Sequence, residues 1–240
     1  MDKAPDASKR WHGRWAFHPT VPRVSTVKLL LALILLFALT PYIESFPGGH
    51  LFESSLITLV MIASLVAIGQ ERRVLMIAVL LLLPAITCKW LNHFFPAAVS
   101  PTFFYAFAIL FFSFTIFRIL SFILSTVIVD AEVLSAGVVV YLMLGLLWSL
   151  AYLLDAELAP GSFRIPTANS PVFALDRFDA FYFSFSALTT AGFGDITPIS
   201  RAARTRAVME TVTGTLYLAI LISRLVGLYS PAAPRNDEKI

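Results

Sequence analysis

Thr189-Thr190-Ala191-Gly192-Phe193-Gly194-Asp195 is the stretch on which the reading of this 240-residue chain turns. It lies between an aromatic-rich segment, Phe178 to Leu188, and a final apolar span that begins near Arg206. Backbone amides and carbonyls cannot stay bare in hydrocarbon. An irregular Gly-x-Gly segment between two apolar spans must therefore be buried in protein or line a water-filled path. Four copies of it around an axis would point rings of carbonyl oxygens inward, where they replace the water shell of a cation. Gly192 and Gly194 suit this arrangement, because alternate residues must take conformations that a Cβ resists. Thr190 would add a ring of hydroxyl oxygens at the inner end.

Composition agrees with a membrane setting. The chain is 58% hydrophobic and only 14% charged, with 21 phenylalanines, whereas globular domains average about 25% charged residues. The net charge of +3 is concentrated in residues 1–25 and just beyond, where Lys3, Lys9, Arg10, Arg14, Arg23 and Lys28 outnumber Asp2 and Asp6. Beside a hydrophobic span, this reads as a cytoplasmic anchor under the positive-inside rule rather than a nucleic-acid arm. The long polar preface lacks a small-residue cleavage pattern and does not read as a signal peptide. Cys88 is the sole cysteine, so no intrachain disulfide is expected. His12, His18, His50 and His93 show no metal-ligand spacing, and no metal site is expected.

Four spans are expected over 26–129: Thr26 to Ile43, Ser54 to Gly69, Val74 to Leu91 with a kink at Pro84, and Thr102 to Val129. Pro47-Gly48-Gly49 marks the first turn. Gln70-Glu71-Arg72-Arg73 marks a basic turn expected on the cytoplasmic side, and Trp90, Phe94 and Phe95 an aromatic belt on the other. A fifth span, Val133 to Leu154, has twenty-two residues without a charge. Asp176 or Asp179 is placed to cap the next helix, and Phe178 to Thr189 is too short to cross, so it reads as a re-entrant helix. Its negative C-terminal end would favour a cation. Ile196 to Thr205, with Arg201 and Arg204, is expected as an outer turn before the sixth span, Arg206 to Leu228. The fold class is thus an all-α membrane protein of six spans plus one re-entrant helix and loop, with both termini cytoplasmic and a short tail over 230–240.

Thr190-Ala191-Gly192-Phe193-Gly194-Asp195 resembles the selectivity filter of the potassium channel superfamily, whose usual form is Thr-Val-Gly-Tyr-Gly-Asp. Ala191 and Phe193 are the departures. The resemblance is close over residues 134–229 and only topological over 26–129, and it points to a small bacterial-type six-helix channel. It implies a homotetramer in a lipid bilayer, with permeant potassium ions on the carbonyls of Thr190, Ala191, Gly192 and Phe193, and with Gly194 completing the filter below Asp195 at the outer mouth. Tyr182, Phe183, Phe185, Ser186 and Thr189 would be the pore-helix residues around it, with Ser186 where some relatives carry a glutamate. Gly214, twenty residues after Gly194, would be the inner-helix hinge; a small residue allowing close packing is the competing reading.

Voltage-gated relatives repeat an arginine at every third position of the fourth helix, but here Arg118 stands alone. One charge crossing the whole field contributes only about 2.3 kcal/mol per 100 mV, so steep voltage gating is not expected. Arg118 reads instead as a snorkelling or paired structural residue. Arg206 and Glu210 are spaced to pair on one helix face, and Glu210 is a candidate filter support. No ligand-binding domain or calcium loop is recognisable, so any regulator is unidentified. Two other classes compete. Gly192-Phe193-Gly194-Asp195 fits the Gly-x-Gly-Asp signature of presenilin-type intramembrane aspartyl proteases, but the only candidate partner, Asp130, is expected across the membrane. A transporter should show paired broken helices in two halves, and only one half is interrupted. Within channels, the runner-up is a weakly selective cation pore.

Overall fold

The computed structural model describes residues 23–43, 49–68, 71–95, 100–126, 130–165 and 175–229; the tail over 1–22, Pro47-Gly48, Gly69-Gln70, the expected end of the fourth span over 127–129 and the tail over 230–240 lie outside the described residues. The elements are α1 (Arg23–Ile43), α2 (Gly49–Ala67), α3 (Arg72–Phe94), α4 (Pro101–Ser125), α5 (Ala131–Leu158), β1 (Phe163–Arg164), α6 (Arg177–Leu188), β2 (Thr197–Pro198) and α7 (Arg201–Tyr229).

Local sequence accounts for the helix starts. Ser100 Oγ accepts from the Thr102 N–H at 3.3 Å, ahead of Pro101 in the first turn of α4. Asp130 Oδ1 accepts from the Glu132 and Val133 N–H groups at 3.1 Å each, and Asp176 Oδ1 from the Asp179 N–H at 2.7 Å. Each cap satisfies donors that the helix itself cannot. Inside the apolar helices, Thr58, Ser64, Thr87 and Thr115 donate to the carbonyl four residues back. Their hydroxyls are thereby satisfied without water.

Among the described residues, α3, α4, α5 and α7 are long and apolar enough to cross a membrane, and α1 and α2 contribute the apolar runs Thr26–Tyr42 and Leu51–Ala67. The last helix, α7, begins at Arg201, earlier than the span expected from Arg206. Ser200 Oγ accepts from the Ala203 N–H at 3.1 Å, and the Arg204 N–H reaches the Ser200 carbonyl at 3.0 Å. Arg201 and Arg204 are therefore in the first turn of α7, not in a turn reaching Thr205.

Helices adjacent in sequence pack on one another from α1 through α5, and α1 returns to α5. Leu29, Leu33, Met61, Phe111, Phe112, Ile119 and Met143 form the fully buried centre. Gly145 lets α5 accept the Phe185 ring, because a Cβ there would strike the ring atoms. Lipid tails are as apolar as leucine, so close packing rather than water exclusion must hold such helices together. The Arg118 guanidinium, on a residue 7% exposed, stands 3.6 Å from the Glu71 carboxylate. Arg224, far along α7, donates to the Leu124 and Thr126 carbonyls at 2.7 Å each, covering carbonyls left open where α4 ends.

Candidate functional site

Helix α6 has 12 residues. At about 1.5 Å per residue it spans about 18 Å, well short of a bilayer core of about 30 Å. It packs between α5 and α7 and ends where the Thr189–Asp195 loop begins. The loop folds back on the helix end. The N–H groups of Thr189, Thr190 and Gly192 donate to the carbonyls of Phe185, Ala187 and Ser186 at 3.0, 3.0 and 3.1 Å. The Phe193 N–H donates to Ser186 Oγ at 3.3 Å. Donors thus turn inward onto the carbonyls that a helix C-terminus leaves unsatisfied.

The acceptors are disposed differently. Among the described residues, no hydrogen bond ends on a carbonyl of residues 189–194. Thr190, Gly192 and Gly194 have φ of +61°, +57° and +80°, so left-handed residues alternate with Ala191 and Phe193, which do not have positive φ. Gly192 and Gly194 adopt that hand without a Cβ penalty; Thr190 bears it with a branched side chain. Residues 189–195 are all exposed in the single chain, and Phe193 is 69% exposed.

The far side of the loop is anchored twice. β1 pairs antiparallel with β2 through Phe163–Pro198 and Arg164–Thr197, and the Ile199 N–H reaches the Ser162 carbonyl at 2.7 Å. Tyr182 stacks on Phe193 with centroids 5.8 Å apart and planes 11° from parallel, and its hydroxyl hydrogen-bonds Asp195. That bond holds the exposed Asp195 carboxyl below the ordinary carboxylate range. A depressed folded value means that the bond contributes above the ordinary carboxyl range and is lost as pH falls through the lowered value. Tyr182→Phe is accordingly expected to move protonation of the Asp195 carboxyl to higher pH, read from an NMR titration of the purified protein; identical titrations for both proteins would refute the link.

The other aromatic residues of α6 do not share one surface. Phe183 packs edge-on against Tyr152 and Phe163, and Phe185 against Phe37 of α1 and Phe181. Tyr182 alone of these stacks on the loop.

Glu210 is fully buried. Its two carboxylate oxygens accept from the Tyr152 hydroxyl of α5 and the Ser184 hydroxyl of α6 at 2.5 Å each, and Ser184 also reaches the Gly145 carbonyl at 2.7 Å. The expected pairing of Arg206 with Glu210 does not form; Arg206 instead makes an ion pair with Asp155 of α5. The carboxylate of Glu210 points into the three-helix junction, whereas Arg206 lies nearer the helix end. Gly214 sits against the Leu188 carbonyl, which a Cβ would overlap, and a Cβ would come within 2.8 Å of Leu188 Cδ1. Its absent side chain therefore lets α7 approach the end of α6.

No local sequence pattern singles out Ser184 or Tyr152. A glutamate within an apolar span does signal buried partners, but nothing local points to a tyrosine 58 residues away. Asp130 caps the start of α5, whereas Asp195 neighbours the strand that pairs beyond its end. A 28-residue helix of about 42 Å separates those ends, so no aspartate dyad is assembled between them.

Residues 131–230, which run from α5 through α7, match the model of a family described as ion channel. No curated protein and no solved structure matches the chain.

Proposed function

We propose that the chain is one subunit of a homotetrameric, potassium-selective channel that conducts passively through a filter built from Thr190 to Gly194. One observation carries this reading: the N–H groups of Thr189, Thr190, Gly192 and Phe193 are bound inward to α6, while among the described residues no hydrogen bond ends on a carbonyl of the exposed residues 189–194. Four such faces around an axis supply the stacked oxygen rings that dehydrate a cation. The similarity of residues 131–230 to an ion-channel family supports it, as does α7, whose most apolar window is only 17% buried in one chain and so leaves surface for neighbours and a pore. In this reading residues 26–129 form a sensor-like domain without arginine repeats, and residues 130–229 form the pore. The protein spans the cell membrane six times with both termini cytoplasmic.

One feature favours a second reading, a weakly selective cation pore. Phe193 is held by stacking on Tyr182 and carries no hydroxyl with which to brace the filter from behind. The reversal potential of the purified protein in planar bilayers, under opposed potassium and sodium, separates the two. Reversal near the potassium equilibrium potential is expected. Reversal near zero would make it a general cation pore, and a conductance unaffected by Gly192→Asp would remove the filter from the conducting path.

A further inference from the structure

A second polar site lies away from the loop, where the first turns of α2, α4 and α6 meet the last turns of α3. A chamber of about 360 Å³ opens there, lined among others by Ser54, Lys89, His93, Tyr105 and Arg177. Lys89, Tyr105 and Arg177 also line an adjoining narrow apolar cleft that reaches Leu36, Ile57 and Leu150. Lys89 is only 8% exposed, and its ammonium sits 4.7 Å over the Phe104 ring. Burying an ammonium is costly unless a counter-charge accompanies it, and an aromatic face compensates only in part.

The carboxylate lining this region is Glu53, and it is committed to Arg177 at 2.7 Å. Arg177 also hydrogen-bonds the Tyr105 hydroxyl. Among the described residues, no carboxylate is within ion-pair distance of Lys89. Glu157, on the exposed end of α5, acts on Tyr105 electrostatically but lines neither the chamber nor the cleft. Among the described residues, the chamber and its adjoining cleft together hold two cationic groups, Lys89 and Arg177, against one carboxylate, Glu53, with hydroxyl and imidazole groups beside them. That balance rejects a metal cation and leaves one negative charge to be supplied.

We infer that this chamber binds a phosphate-bearing monoanion, held by Lys89 and Arg177. Lysine serves phosphate as a point charge, and the arginine fork serves its oxygens in pairs. The volume suits a small polar group, and the apolar cleft beside it suits the first carbons of an acyl chain. The same chemistry is offered by a phosphodiester lipid headgroup or by soluble phosphate. Because Arg177 opens α6, an occupant would touch the helix that carries the loop.

Thermal unfolding of the full-length protein in detergent, titrated separately with phosphatidylglycerol, phosphatidylcholine and inorganic phosphate, tests this. A saturable rise in midpoint with phosphatidylglycerol and none with phosphatidylcholine is expected. Lys89→Met should weaken the apparent affinity at least tenfold, whereas Glu53→Gln, which removes the competing carboxylate, should leave it equal or tighter. Should Lys89→Met fail to assemble, Arg177→Gln should show the same loss. A saturable rise with inorganic phosphate that Lys89→Met removes would support the site and identify soluble phosphate as its ligand. The inference is overturned if phosphatidylcholine matches phosphatidylglycerol, if the lysine and arginine variants bind as the parent does, or if Glu53→Gln weakens binding as much as they do.

Discussion

Gly192→Asp is expected to reduce single-channel current at least a hundredfold while the protein still folds and assembles. Two effects combine. The residue holds φ at +57°, a hand that costs an ordinary side chain about 1–2 kcal/mol. That strain alone would be tolerated, because nothing lies within 4 Å of a Cβ placed there. The second effect decides the outcome. In the proposed tetramer, four carboxylates would enter one ring on the axis, and unit charges about 4 Å apart repel by about 4 kcal/mol at an effective dielectric near 20. The ring must then distort or trap the cation it should release. Assembly is read by size-exclusion chromatography, and conduction by planar-bilayer recording. Current above a tenth of the parent would mean that ions do not pass this loop.

Glu210→Ala is expected to lower the stability of the folded protein by about 3 kcal/mol per chain, from two sources. The Tyr152 and Ser184 hydroxyls would each lose a buried acceptor, at a cost of about 1–3 kcal/mol apiece. The vacated volume in a fully buried junction adds a cavity cost. Ser184 retains the Gly145 carbonyl, so its share of the loss is the smaller. Since α6 is the helix released, open probability should fall with stability. Glu210→Gln preserves the volume and one acceptor and should recover more than half of the loss. Combined with Tyr152→Phe, Glu210→Ala should cost less than the sum of the single changes, because both remove the same bond. Midpoints of denaturant unfolding in detergent measure this. Additive losses, with opening and ion selectivity unchanged in Glu210→Ala, would show that the junction does not support the loop.

Elements whose cause is local or periodic are legible in the residues alone. Asp176 ahead of an apolar run identifies a helix and its cap, because a cap needs only residues two or three positions away; Ser100 and Asp130 cap α4 and α5 by the same local rule. Gly192 and Gly194 announce an irregular loop after a short helix, because glycine is the residue that takes left-handed backbone freely. Tertiary structure decided what depends on which helices touch. Arg206 and Glu210 are correctly spaced to pair, yet Asp155 and the Tyr152–Ser184 pair of hydroxyls claim them from neighbouring helices. The spacing of Gly214 suggests either a bend or a contact, and the Leu188 carbonyl lying where its side chain would be shows the contact. Nothing local marks Lys89; the Phe104 ring beneath its ammonium and the Arg177 side chain in the same lining come from other helices. Spacing along one helix specifies which groups can meet within it, whereas the partner of a buried charge is set by whichever neighbouring helix carries the better acceptor or donor to that depth.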